Sequence, residues 1–174
     1  MEPNQIVRHV RSATTEVFTT MLGIEVSSGQ ERTEQTAPAM NDGVMAFVGL
    51  AGPWSGAGVI SCSAAFACQI CNGLLMTEIE SVNEEVLDAV GEVANMIVGN
   101  FKTAAEEYLG PLGLSIPTVI YGRNFTSRSL GGNSWIVLPF QCGSETIEIR
   151  VCLTPNKEQV MQRGGYSHAS AVLA

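Results

Sequence analysis

Asp88, Glu92 and Asn95 stand at i, i+4 and i+7 in the stretch Asp88-Ala-Val-Gly-Glu92-Val-Ala-Asn95-Met-Ile-Val-Gly-Asn100. On a helical wheel of about 100° per residue, Glu92 and Asn95 fall within about 40° of Asp88. A carboxamide is neither nucleophile nor base at neutral pH, but it can hold a water molecule, donating through NH2 and accepting through its oxygen. A Gln serves the attacking water of GTPases in this way. Such a group suffices where a phosphoryl bond is already labile and a metal ion sits on it. An acyl phosphate on another protein meets that description, and Glu92 could grip a cation on the same partner.

Gly91 and Gly99 lie on or beside this stripe, each costing about 1 kcal/mol against alanine in a helix interior. Their visible effect is to lower the surface beside Glu92 and Asn95, so that another molecule can come close. The competing reading is a solvated outer helix face, on which the glycines mark a kink or a packing contact.

Other chemistries find less support. Cys68-Gln-Ile-Cys71 has a Cys-x-x-Cys spacing. A zinc site needs a second ligand pair, and His9 and His168 are each isolated. Redox use needs the motif between a strand and a helix, whereas here it lies inside a helical run with Phe66, Ile70 and Leu74. Core packing is the better account. A carboxylate di-metal site fails because the residue three after Glu92 is Asn95 and not His. No Gly-x-Ser-x-Gly elbow or paired His supports a nucleophile, so no metal ligands and no nucleophile are assigned.

The elements that must position these residues follow from periodicity. Val82 to Leu109 reads as one helix, with Ser81 able to cap it and with Val86, Val90, Val93, Ile97, Phe101, Ala104 and Tyr108 as an apolar face. Gly99, Lys102, Thr103 and Glu106 continue the polar stripe. Asn4 to Leu22 is a second helix, stopped by Gly23. Ser63 can cap a third, from Ala64 to Met76. Glu25 to Gln35 reads as a strand at a sheet margin, and Pro38 to Gly43 as loop. Val44–Leu50 and Ala57–Cys62 pair as a hairpin across Gly52-Pro53-Trp54-Ser55-Gly56. That turn lacks the Gly-Lys-Ser/Thr ending of a phosphate loop. Leu114 to Tyr121 is a strand, and Pro117 must sit at its start or on an edge. Asn124 to Gly132 is polar. Ser134–Cys142 and Thr146–Leu153 form a second hairpin across Gly143-Ser144. The order predicts an α+β two-layer sandwich, a mostly antiparallel sheet with long helices on one face. The 174 residues suit a single domain, with its core over about 4–153 and a C-terminal tail over 154–174.

Apolar residues make up 45% of the chain and charged residues 15%, which excludes disorder. A formal net charge of -8 argues against nucleic acid and against an anionic membrane surface. It favours a partner that presents a positive feature. No run is long enough to span a membrane, and the N-terminus has no charged-then-apolar signal pattern. Cys62, Cys68, Cys71, Cys142 and Cys152 all sit in apolar stretches. They read as buried reduced thiols of a cytoplasmic protein.

With Pro117 added, Asp88, Glu92, Asn95 and Pro117 reproduce a known pattern: Asp or Ser, three residues, Glu, two residues, Asn, about twenty-one residues, Pro. The chain resembles the CheC/CheX/FliY phosphatases of bacterial chemotaxis, most of all the CheX branch. Asn-Met-Ile-Val-Gly-Asn, Ser-Ile-Pro-Thr-Val-Ile-Tyr-Gly and Met21-Leu22-Gly23 share the likeness, which covers about residues 4 to 153. The resemblance implies a CheC-like fold and removal of phosphate from the aspartyl phosphate of a CheY-like response regulator. It implies that Asn95 orients the attacking water and that Glu92 engages the regulator's active-site lysine; Asp88 on the same stripe, and Gly99 through the surface it lowers, are read as part of the docking face. Mg2+ is implied in the regulator and no cofactor on this chain. Only one such motif occurs, as in CheX, which implies a homodimer. Two rivals stand beside this expectation. One is a non-catalytic module of the same fold that docks on a regulator or flagellar switch. The other is a metal or redox protein using the cysteines.

Overall fold

The computed structural model describes residues 2–126 and 134–156. Helix α1 (Pro3–Val17) leads through a single π-helical turn (Phe18–Leu22) into strands β1 (Ser27–Ser28), β2 (Arg32–Glu34), β3 (Ala39–Ala51) and β4 (Trp54–Cys62). Helices α2 (Ala64–Leu75) and α3 (Glu84–Leu109) follow, then β5 (Gly113–Leu114), β6 (Thr118–Thr126), β7 (Trp135–Cys142) and β8 (Glu145–Pro155). The strand path is β1-β7-β8-β4-β3-β5, with β2 also on β7 and β6 also on β3. Every pairing is antiparallel. The predicted α+β sandwich is therefore the observed one, with the helices over one face.

Alternation along the strands decides which residues meet the helices. Val44, Ala46, Val48, Ile60, Leu138, Ile147 and Ile149 point to that side and join α1, α2 and α3 in one buried core. Met45, Val59, Trp135, Val137 and Cys152 point to the other face and form a smaller cluster. Beside it four charges close a ring. Arg150 reaches Glu34 at 2.6 Å and Glu148 at 2.8 Å, and Arg32 reaches the same carboxylates at 2.7 and 2.5 Å. The ring ties β2 to β8 across the strand that separates them.

Several boundaries differ from the sequence reading. α3 starts at Glu84, capped by Asn83, whose side chain accepts from the Val86 N–H at 3.0 Å, so Ser81 is not the cap. The first helix does not stay α-helical to Leu22. Its last turn widens to π, which turns Phe18 onto Phe66 with ring centroids 6.2 Å apart. Gly23 does stop it, in the left-handed conformation at φ 66°. Residues 39–43 are strand and not loop, because β3 is long enough to pair with β6 over its whole first half. The first hairpin turns tightly at Gly52-Pro53. Strand β8 runs to Pro155, two residues into the expected tail. The polar run after Thr126 and the tail after Asn156 lie outside the described residues. Among the described residues no helix is long and apolar enough to cross a membrane.

The buried stripe of α3 also drifts. Val86, Val90, Val93, Ile97 and Phe101 are buried as predicted, but Ala105 and Leu109 replace Ala104 and Tyr108. From Ile97 the buried positions advance by four each time. The contact line therefore rotates around the helix, as expected over a twisted sheet. Tyr108 is 44% exposed, beside His9 of α1.

Candidate functional site

Asp88 and Glu92 are exposed on α3 and Asn95 is half-buried one turn further on. The stripe they share divides in two. Toward the C-terminus its polar groups bond within the chain. Lys102 pairs with Glu106 at 2.9 Å, Glu106 accepts the Leu112 N–H at 2.8 Å, and Thr103 donates to the Gly99 carbonyl at 3.0 Å. The Leu112 N–H and the Lys102 ammonium hold the Glu106 carboxyl below the usual carboxylate range. Among the described residues Asp88, Glu92 and Asn95 make no side-chain hydrogen bond or ion pair. This leaves their donors and acceptors available to another molecule.

Pro117 stands directly before β6, the edge strand that pairs with β3. This placement agrees with proline's missing donor. A groove of about 500 Å³ runs between α3 and this strand, lined by Leu87, Asp88, Gly91, Glu92, Pro117 and Val119. Gly91 explains how close the two walls lie. It is buried, and a Cβ there would meet the Val119 Cγ2 at 3.2 Å and the Pro117 Cβ at 3.6 Å. The glycine admits the chain's own Pro117 and Val119, so at Gly91 the packing contact, the competing sequence reading, is the one observed. Gly99 is half-buried with the Leu114 Cδ1 3.7 Å from where a Cβ would be, and it does not line this groove.

A second groove, of about 380 Å³, flanks α3 on its other side, between Leu74, Leu75, Glu85, Asp88, Ala89 and Glu92. Asp88 and Glu92 form the ridge between the two grooves. Large apolar side chains next in sequence to groove-lining Pro117 and Leu75 are exposed. Ile116 is 86% exposed and Met76, just past α2, is 94% exposed. Sequence reasoning did not single these out. Ile116 next to the motif proline was the one available signal. The ridge is also strongly acidic. No Lys or Arg occurs between Arg32 and Lys102, while Glu78, Glu80, Glu84, Glu85, Asp88 and Glu92 all do.

The cysteines take no part in this surface. All five are buried, and none forms a disulfide among the described residues. Burial, with the Glu145 carboxylate as a smaller cause, pushes the Cys62 thiol up to about 12 and that of Cys142 to about 11. Burial raises Cys68 and Cys71 as well. Thiols so placed stay protonated and poorly nucleophilic. Among the described residues no three His, Cys, Asp or Glu side chains come together as a metal site.

The arrangement offers a partner two grooves, a carboxylate ridge and an unengaged carboxamide. A sequence model of the family described as Chemotaxis phosphatase CheX matches residues 44–141, a span that holds all four motif residues. The CheY-P phosphatase CheX of Thermotoga maritima is 25% identical over 128 residues, 73% of this chain and 82% of that protein. Among solved structures, the chemotaxis protein CheX of Desulfovibrio desulfuricans is 28% identical with a TM-score of 0.77, over 86% of this chain and 99% of its own. A CheC-like superfamily protein from Shewanella sp. PV-4 is 26% identical with a TM-score of 0.77, over 88% of this chain and 99% of its own.

Proposed function

This chain belongs to the CheX family of chemotaxis phosphatases, and we propose that it hydrolyses the aspartyl phosphate of a CheY-like response regulator. The Thermotoga relative is named for action on CheY-P. The observation that carries the reading is the free half of the α3 stripe: Asp88 and Glu92 line a groove with Pro117, Asn95 stands half-buried one turn on, and among the described residues none of the three side chains is engaged.

The chemistry asks for little more than this surface supplies. Water forms a bond to phosphorus as the acyl P–O bond breaks, and the electron pair of that bond leaves on the regulator's aspartate. A carboxylate of ordinary pKa about 3.9 departs without protonation, so no general acid is required. The transition state of phosphoryl transfer is loose, so positioning counts for more than deprotonation. Asn95 meets that need by accepting a hydrogen bond from the water or donating one to it, in line with the phosphorus. Glu92 pairs with the regulator's lysine and sets the register of the two proteins. Asp88, one turn earlier on the same ridge, adds to the docking field. Mg2+ belongs to the regulator in this scheme, and this chain contributes no ligand to it.

Incubation with a phosphorylated CheY-like regulator, following phosphate release, tests the reading. Release accelerated above the regulator's own rate supports it. Binding without acceleration would favour a sequestering module of the same fold.

The proposed setting is cytoplasmic and the proposed assembly a homodimer. β6 pairs with β3 on one side, and among the described residues no strand meets its other edge. Pairing of such edges would satisfy backbone groups otherwise left to water. Light scattering should give twice the 18.5 kDa chain mass, and a monomer at micromolar concentration would reject the dimer.

A further inference from the structure

Met76 is anomalous twice over. It ends α2 in the left-handed conformation, at φ 53° and ψ 46°, a position that glycine usually fills. Its long apolar side chain is 94% exposed. The exposed side chain adds nothing to the buried core. A residue held in a disfavoured backbone region marks a place where something besides folding is at stake. The residue before it, Leu75, is 49% exposed and lines the α2–α3 groove. That groove shares Asp88 and Glu92 with the groove beside Pro117. A protein seated on Glu92 therefore cannot avoid the α2–α3 groove.

We infer that the α2–α3 groove, lined by Leu74 and Leu75 and followed in the chain by the exposed Met76, is the specificity half of the docking surface and takes an apolar side chain of the response regulator. The inference rests on the regulator-phosphatase reading and adds to it. The α3–β6 groove and Asn95 serve the phosphoryl group, which every regulator of this type presents alike. The contact at Met76 touches regulator surface beyond that shared centre, where regulators differ. An apolar anchor beside a charged ridge is the usual make-up of a contact that carries affinity, with the charges setting approach and register.

The test compares wild type with Met76→Gly, Met76→Ala and Met76→Leu in three measurements. These are a titration against beryllofluoride-activated regulator, steady-state dephosphorylation, and a thermal melt. Met76→Gly should weaken binding about tenfold and raise KM in proportion. The same variant should melt higher by about 2 °C, because glycine relieves the left-handed backbone. Met76→Ala should lose affinity without the gain in melting temperature, and Met76→Leu should keep affinity within about twofold. A purely structural role would move melting and affinity in the same direction. Unchanged affinity in both Met76→Gly and Met76→Ala overturns the inference. So does an altered oligomeric mass with unchanged affinity, which would assign the groove to a second copy of this chain. If wild type binds the activated regulator but does not dephosphorylate it, the catalytic reading fails while the titration still decides the role of Met76. If wild type does not bind at all, both fail.

Discussion

Glu92 shows how a single exposed carboxylate can matter in one context and not another. On the free protein it makes no ion pair among the described residues, so folding gains little from it. Once a partner covers the ridge, the same carboxylate loses water and must be paired. Truncating one member of a hydrogen-bonded charge pair across an interface costs roughly 2–5 kcal/mol. Glu92→Ala should therefore leave the melting temperature near wild type and weaken binding of the phosphate-mimic regulator by one to several orders of magnitude. Isothermal titration against the Mg2+- and beryllofluoride-bound regulator measures this. Unchanged affinity would remove Glu92 from the interface. The placement of the stripe was legible at this scale, since helical spacing alone puts Asp88, Glu92 and Asn95 on one side of α3, off its buried face. At Gly91 the sequence could not decide between open surface and packing, because its neighbours, Pro117 directly before β6 and Val119 within it, lie more than twenty residues away. No local pattern reveals that contact.

α3 works as a beam whose inner side sets the position of its outer side. Gly58 of β4 is where the beam rests. A Cβ there would lie 2.4 Å from the Cγ2 of Val98, which is 1% exposed. Gly58→Ala should force α3 outward and cost roughly 1–3 kcal/mol, as overpacking of a filled core does. Val98→Ala should cost a comparable amount by leaving a void, yet the double substitution should cost less than the sum, because the added methyl fills the space vacated. Thermal or urea melts of the four proteins measure the coupling, and strict additivity would show that the two residues do not meet. The existence of α3 was plain from its apolar period. Its start was not, because Ser81 and Asn83 both have cap chemistry. Asn72 of α2 settles the matter. Its amide donates to the Ile79 carbonyl at 3.1 Å and accepts the Ile79 N–H at 2.7 Å, which pins the connection and leaves Asn83 at the cap. Both hairpins were legible from Gly52-Pro53 and Gly143-Ser144. The early start of β3 was hidden, since it depends on pairing with β6, a distant edge strand.

Charge is unevenly spread over the whole molecule. The motif ridge is acidic and unpaired among the described residues, while the far face of the sheet holds a closed ring of Arg32, Glu34, Glu148 and Arg150. Burial pushes Glu34 upward, but hydrogen bonds and charge from Arg32 and Arg150 outweigh it and hold its carboxyl below the usual range. A carboxyl lowered in the folded state stabilises the fold above its unfolded value. That contribution is lost as pH falls through the folded value. The melting temperature should therefore hold from neutral pH to near the ordinary carboxyl value of 4.5 and fall below it. Glu34→Gln should be less stable at pH 7, by roughly 1–3 kcal/mol for a lost hydrogen bond to a charged group. It should lose less than wild type on further acidification. Equal acid slopes in the two proteins would show that Glu34 does not drive the transition.

The central claim is that Asn95 acts in the chemical step and in little else. Asn95→Ala removes the group proposed to hold the water, on a half-buried helix position where alanine is the better helix former by about 0.5 kcal/mol. The direct measurement is single-turnover dephosphorylation of a CheY-like regulator by Asn95→Ala, with a thermal melt and a binding titration on the same protein. The account predicts a rate lower by about 10²–10³, the loss typical of one orienting or stabilising group, with melting and affinity near wild type. A rate within a few-fold of wild type, in a protein that still folds and binds, would contradict it.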